Sequence, residues 1–313
     1  MLKKQIFSGK FYAVGESLLD LIAESDSRIK IVPGGSMLNT CVSLGRLGVD
    51  TYLISEVGDD KAGEILIKFL NGNGVQTDFY IKNANRKTAI ALAFLDENKN
   101  ATYSFYTDSP LKMELNRLPD FNSSDFLLFG SSYAVKPERV DFVRVMIKKA
   151  LDSGSFIVYD PNYRKSHASD KESRVAIITQ HLVSSTLVKG SDEDFYNLFG
   201  MSDPLEVYNH IVKWCKYLVV TSGSTAVHLY TPDFQKEYIV PQIVPVSTIG
   251  AGDTFSAGLI YGLLQNGINR QNIGNTQVEV WDKTIGRAIR FASEVCLSPE
   301  NYLSSDFARA NET

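Results

Sequence analysis

The chain has 313 residues, 44% of them hydrophobic, enough for a sizeable core in one large α/β domain or two smaller ones. Its 32 basic and 36 acidic side chains give a net charge of −4, and no Lys/Arg-rich block stands out, which excludes nucleic acid as the main partner. Cys41, Cys215 and Cys296 lie far apart without CxxC spacing and predict a reducing compartment. Met1–Phe7 lacks an apolar leader core, and no later stretch approaches the ~18 apolar residues of a membrane span, so the expectation is a cytoplasmic protein with no membrane partner.

Short β-branched or aromatic runs recur at Phe11–Val14, Thr51–Ile54, Phe126–Phe129, Phe156–Tyr159 and Tyr217–Val220, each reading as a buried strand. Helical patterns at Ala62–Leu70, Pro137–Leu151 and Asp203–Trp214 fall between them. The alternation predicts a mostly parallel sheet covered on both faces, a three-layer α/β/α core. Segments 18–32 and 87–106 break the rhythm. In the second, residues 88–95 and 101–106 flank Asp96–Asn100 as a hairpin, and both segments are expected to form a small β-sheet lid. No repeat or low-complexity linker divides the chain, so residues 1–313 read as one domain. His167, His181, His210 and His228 are scattered without metal-ligand spacing and read as surface or cap residues.

The run Ser247-Thr248-Ile249-Gly250-Ala251-Gly252-Asp253 is a glycine-rich turn that enters a helix marked by Phe255, Leu259, Ile260, Leu263 and Leu264. Small residues at a helix N-terminus let an anion approach unpaired backbone N–H groups, and the helix dipole favours negative charge there. A carboxylate at such a turn repels phosphate unless it does something else. Asp253 is either the base that takes a proton from an attacking alcohol during phosphoryl transfer or an ordinary N-cap. The P-loop spacing, the third glycine of a dinucleotide fingerprint and the serine-hydrolase elbow are all missing.

A second constellation, Gly15-Glu16-Ser17-Leu18-Leu19-Asp20 and Pro33-Gly34-Gly35-Ser36-Met37-Leu38-Asn39, follows the first strand. Polar groups at the carboxyl ends of parallel strands line ligand crevices. Asp20 and Asn39 suit sugar hydroxyls, and they suit turns and caps equally.

Together these segments resemble the PfkB family of carbohydrate kinases. The first family signature resembles Gly34–Thr40, Gly45–Gly48 and Gly58–Gly63, and the second Thr248–Asp253; Asp160-Pro161-Asn162-Tyr163-Arg164 and Val220-Thr221-Ser222-Gly223 are similar to the motifs between them. The resemblance implies a ribokinase-like fold, a Rossmann-like core with a β lid, with ATP as donor and Mg²⁺ on its phosphates. It implies Asp253 as base, with the amides of Gly250, Ala251 and Gly252 as the anion hole. Asp20, Gly34, Gly35 and Asn39 would hold the sugar, and Ser191, Thr221, Gly223, Gly250 and Gly252 would contact ATP. Arg164 either meets sugar or phosphate or is a surface arginine paired with a local acid. Two departures matter. Ser191-Asp192-Glu193-Asp194 replaces the family's Asn-x-x-Glu, which leaves Asp194 as an indirect Mg²⁺ contact. Ser247 replaces an Asp that supports a monovalent cation, which argues against K⁺ activation.

The fructokinase-like subgroup fits best, with fructose as acceptor, although Thr107 stands where an arginine often follows Phe-Tyr. Ribokinase, 2-keto-3-deoxygluconate kinase and nucleoside kinase are the alternatives within the family, and a non-catalytic sugar-binding regulator is the alternative outside it. Exposed lid edges predict a homodimer paired through the lid strands.

Overall fold

The computed structural model describes residues 7–25, 28–95, 101–108, 117–163 and 171–310. The chain runs β1 (Phe11–Val14), β2 (Leu18–Ser25), β3 (Arg28–Gly34), α1 (Ser36–Arg46), β4 (Thr51–Gly58), α2 (Lys61–Gly72), β5 (Val75–Gln76), β6 (Tyr80–Asn83), β7 (Ile90–Leu95) and β8 (Ala101–Tyr106). It continues through β9 (Phe126–Gly130), α3 (Pro137–Asp152), β10 (Phe156–Asp160), α4 (Lys171–Ser184), β11 (Leu187–Ser191), α5 (Asp192–Phe199), α6 (Pro204–Ile211) and β12 (Leu218–Ser222). β13 (Ala226–Tyr230), β14 (Gln235–Ile239), α7 (Ala251–Gln265), α8 (Val278–Cys296) and α9 (Ser305–Ala310) complete it.

The large sheet has the order β14-β13-β12-β11-β10-β9-β1-β4-β5, with β6 also on β4. It is parallel from β12 to β5 and antiparallel at β13 and β14. β1 shows why a continuous apolar run is a central strand. Phe11 and Ala13 enter one core cluster with Leu38, Cys41, Leu259 and Ile285, while Tyr12 and Val14 enter another with Val143, Met146, Ile178 and Leu182. Successive side chains point to opposite faces, so both faces are covered, as the expected three-layer architecture requires. Each fully buried Val, Leu or Phe contributes roughly 1.5–3 kcal/mol.

The two segments that break the rhythm form a separate four-stranded sheet, β3-β2-β7-β8. β2 pairs antiparallel with β3 and parallel with β7, and β7 pairs antiparallel with β8 from Leu95↔Ala101 to Ile90↔Tyr106. The Asp96–Asn100 turn lies outside the described residues. Two sequence expectations need correction. The helix expected over Asp203–Trp214 is shorter, because Asp203 is its N-cap, accepting from the Leu205 and Glu206 amides, and α6 ends at Ile211. His181 is no surface residue. It is 1% exposed, edge-on to Phe129 and tilted against Tyr159, because α4 turns it into the core below the sheet, where its Nε2 lies 3.0 Å from the Ala134 carbonyl oxygen. Among the described residues no helix is long and apolar enough to cross a membrane.

The segment after α8 is fastened to α1. Arg46 at the end of α1 bonds Asn73 Oδ1 at 2.7 Å and Glu300 Oε2 at 2.8 Å, and its guanidinium lies 4.8 Å from the Tyr302 ring centre. The Leu303 amide donates to Ser43 Oγ at 3.2 Å.

Burial holds the His181 pKa down at about 4, against an ordinary 6.5. The unfolded chain therefore binds a proton that the folded chain refuses, so stability is intact above pH 6.5 and is lost as pH falls toward 4. The loss should reach on the order of 3 kcal/mol. Urea unfolding at stepped pH checks this: His181→Gln should flatten that part of the profile, and an unchanged slope would refute the assignment.

Candidate active site

α1 and α7 begin differently from several of their neighbours. Asp60, Ser191 and Asp203 cap α2, α5 and α6 with side-chain oxygens. α1 and α7 start instead at Gly35 (φ 121°) and Gly250 (φ 80°), with no side-chain cap. Positive φ favours glycine at both positions. Space requires it as well: a Cβ on Gly35 would come within 2.4 Å of the Glu16 carbonyl oxygen, and one on Gly250 within 2.0 Å of that of Asn301. The first amides of a helix have no intrahelical acceptor. With no capping side chain either, these ends are suited to take their acceptors from a ligand. The Ala251 amide already reaches the Thr248 carbonyl at 3.3 Å, which leaves those of Gly252 and Asp253 as the better anion donors.

Asp253 is not the N-cap. It is the third residue of α7, and its Oδ2 accepts from Asn39 Nδ2 at 2.8 Å, across 214 residues of sequence. Thr40 Oγ1 donates to the Asp253 carbonyl at 3.0 Å. Asn39 is 5% exposed and its Oδ1 has no hydrogen-bond partner among the described residues. Asp20 stands on β2 against Gly34, where a Cβ would come within 2.2 Å of its Oδ2. Asp20, Gly34, Gly35, Asn39 and Asp253 are thus brought together from the small sheet and two helices.

On the other side, Ser191 and Thr221 are register partners at the ends of β11 and β12, with Gly223 (φ 54°) just beyond. Asp194 serves as a structural cap. Its Oδ1 accepts from the Tyr163 amide at 2.6 Å, and its Oδ2 accepts from the Ser191 amide and hydroxyl, each at 2.7 Å. Burial, with the nearby Asp160 charge, raises its pKa against the pull of the Ser191 bonds. Donors already occupy both oxygens, which suits an outer-sphere metal contact better than direct ligation. Among the described residues no cluster of three His, Cys, Asp or Glu forms a protein cage for a metal. Arg164 lies outside the described residues.

Sequence reasoning missed Lys189. It is 4% exposed on β11 and donates to Asp160 Oδ2 at 2.8 Å. Ser256 Oγ bridges Asp160 Oδ2 and the Gly252 carbonyl, each at 3.1 Å. Lys189 Nζ lies 3.4 Å from the point a Cβ on Gly252 would occupy. A fixed positive charge therefore sits directly behind the turn. Burial works against that charge, but the Asp160 carboxylate, aided by Asp194 and Asp253, outweighs it and raises the Lys189 pKa. A lysine inside the otherwise apolar run Leu187-Val188-Lys189-Gly190 was the available signal, since a charge on a central strand must be paired.

Removing one partner of a buried ion pair typically costs 3–5 kcal/mol, whereas a neutral replacement of both can be nearly free. Lys189→Met should therefore lower unfolding stability by about that much, and Lys189→Met/Asp160→Asn should regain most of it. Equal stabilities of the single and double variants in urea titrations would refute the pairing.

The fold has known counterparts. A fructokinase double mutant from Vibrio cholerae O395, solved with fructose, ADP and a potassium ion, superposes with a TM-score of 0.85 at 21% identity over 99% of this chain and 100% of that one. Aminoimidazole riboside kinase from Salmonella enterica gives 0.84 at 21% identity over 96% and 98%. In sequence, fructokinases from Vibrio alginolyticus and Rhizobium leguminosarum bv. trifolii are 30% and 31% identical over 80% of this chain and 82% and 78% of theirs. Residues 9–296 match the model of the pfkB family carbohydrate kinases, and the chain belongs to that family.

Proposed function

We propose that the protein is a fructokinase that moves the γ-phosphoryl group of ATP to a primary hydroxyl of fructose, giving fructose 6-phosphate. The observation that carries this reading is Asp253. It is a carboxylate in the first turn of an uncapped helix, held by Asn39 rather than spent on capping. Asp20 and Asn39 orient the sugar so that its hydroxyl hands its proton to Asp253. The amides at the start of α7, backed by Lys189, take up charge that develops on the transferring group. The exposed apolar side chains Val244, Val246 and Ile249, which precede Gly250, offer a nucleotide base a surface.

Mg²⁺ carried on the ATP phosphates would neutralise their charge, with water between it and Asp194. Ser247 accepts from the Ile249 amide at 3.2 Å and lacks the carboxylate that favours a bound monovalent cation, so K⁺ activation is not expected. The whole chain acts as one catalytic unit, with the small sheet as its lid.

ADP release across fructose, ribose, 2-keto-3-deoxygluconate, adenosine and inosine tests the reading. Fructose should give the highest kcat/KM, and Asp253→Asn should lower kcat by roughly 10²-fold or more. Turnover unchanged in Asp253→Asn would sink the mechanism, and tight sugar binding with no phosphosugar would favour a non-catalytic regulator.

The lid also supports a homodimer. Cross-strand register puts Ile29, Ile31, Phe94 and Tyr106 on one of its faces, 52–60% exposed, and Asp20 on the other. A second copy would cover the apolar face, since a patch of this kind marks an interface. Sedimentation at micromolar concentration should give a dimer that Phe94→Glu dissociates; a wild-type monomer would refute it.

A further inference from the structure

Between the foot of the small sheet and the C-terminal ends of β1, β4 and β9 lies a cavity of about 190 Å³, and Asp20, Asn39 and Asp253 are not among its lining residues. Its floor is a buried ion cluster. Arg86, in the connection from β6 to β7, and Arg139, in the first turn of α3, both pair with Oε1 of Glu56 on β4. The three side chains are 8%, 3% and 7% exposed. Arg86 Nε has no hydrogen-bond partner among the described residues. A buried N–H left unmade costs about 1–3 kcal/mol, and Arg86 lines the cavity, so an acceptor there, from a ligand or a water, would be favourable.

The charge of the lining narrows what that acceptor is. Arg86, Lys136 and Arg139 stand against Glu16, Glu56, Asp108 and Glu138, three positive groups against four negative. Lys136 Nζ lies 3.2 Å from Glu16 Oε2 at the rim. An anionic ligand would meet the surplus of carboxylate, and an apolar one would leave Arg86 Nε without an acceptor. Hydroxyl groups donate to carboxylates and accept from guanidinium and ammonium, so they suit both signs. The volume holds roughly six waters, which fits part of a sugar and not a nucleotide. One backbone segment joins the cavity to the reacting end of the site. Glu16 lines the cavity with its side chain, while its carbonyl packs against Gly35, the residue that opens α1 and so aims Asn39 at Asp253.

We propose that this cavity is a specificity subsite for the non-reacting, hydroxyl-bearing end of a neutral acceptor sugar, and that Arg86 is the side chain that reads it. The proposal rests on the sugar-kinase reading. Thr107, which is exposed, lines the same cavity.

Steady-state kinetics of full-length Arg86→Ala test it. The KM for fructose should rise at least about tenfold, with kcat and the KM for ATP within about threefold, the signature of lost uniform binding. Thr107→Arg, at an exposed position, balances the lining at four charges of each sign. It should raise kcat/KM for gluconate relative to fructose by about fivefold or more by relieving the penalty on an anion. An unchanged fructose KM in Arg86→Ala overturns the proposal, as does an equal disturbance of sugar and ATP kinetics, which would mark Arg86 as merely structural. If Arg86→Ala does not fold, Thr107→Arg decides: an unchanged gluconate-to-fructose ratio overturns the proposal. Wild-type protein that phosphorylates no sugar would instead defeat the kinase reading, whatever the variants do.

Discussion

The hydrogen bond from Asn39 to Asp253 depends on two helices bringing their N-terminal turns together, and most of the site depends on that arrangement. Two like-oriented dipole ends repel, and their unpaired amides need acceptors. The close approach is possible because glycines open both helices and because Asp253 places negative charge between the two ends. The carboxylate therefore has a structural reason to be present before any substrate arrives. The proton-accepting role proposed for Asp253 makes a second demand on the same carboxylate.

Behind the turn, Lys189 extends the same logic into the core. A lysine on a central strand is costly unless its charge is met, and Asp160 meets it at 2.8 Å. Ser256 ties that pair to the first turn of α7. Strand β11, strand β10 and helix α7 are thus locked through buried polar contacts at the point where a small positional error would matter most. Such networks rigidify when every member is satisfied. Asp160 Oδ1 remains without a partner among the described residues.

The sheet was legible because its strands are apolar on both faces, as the opposite cores of Phe11 and Tyr12 illustrate. The small sheet was legible from strands that follow one another without helices. The Gly250–Asp253 turn stood out by composition, but composition left base and cap open for Asp253; the position of Gly250 as N-cap sets the cap aside, and the base is the role proposed for it. His181 was misread because a single histidine on a helix carries no mark of which face turns inward. Glu56, Arg86 and Arg139 were illegible for a different reason. They come from a strand, a connection and a helix start far apart in the chain, and nothing local to any of them announces the other two.

The segment after α8 presses the Asn301 carbonyl against Gly250, while Arg46, Ser43 and Tyr302 hold that segment on α1. A ribosome delivers the chain N-terminus first. The large sheet, the small sheet and α7 are therefore all synthesised before the wedge that sets the start of α7 has emerged. The start of α7 is in this sense set vectorially: a nascent chain can have both sheets and α7 in hand and still lack the Asn301 wedge at Gly250, together with the share of the first core that Tyr302, Leu303 and Ala308 fill.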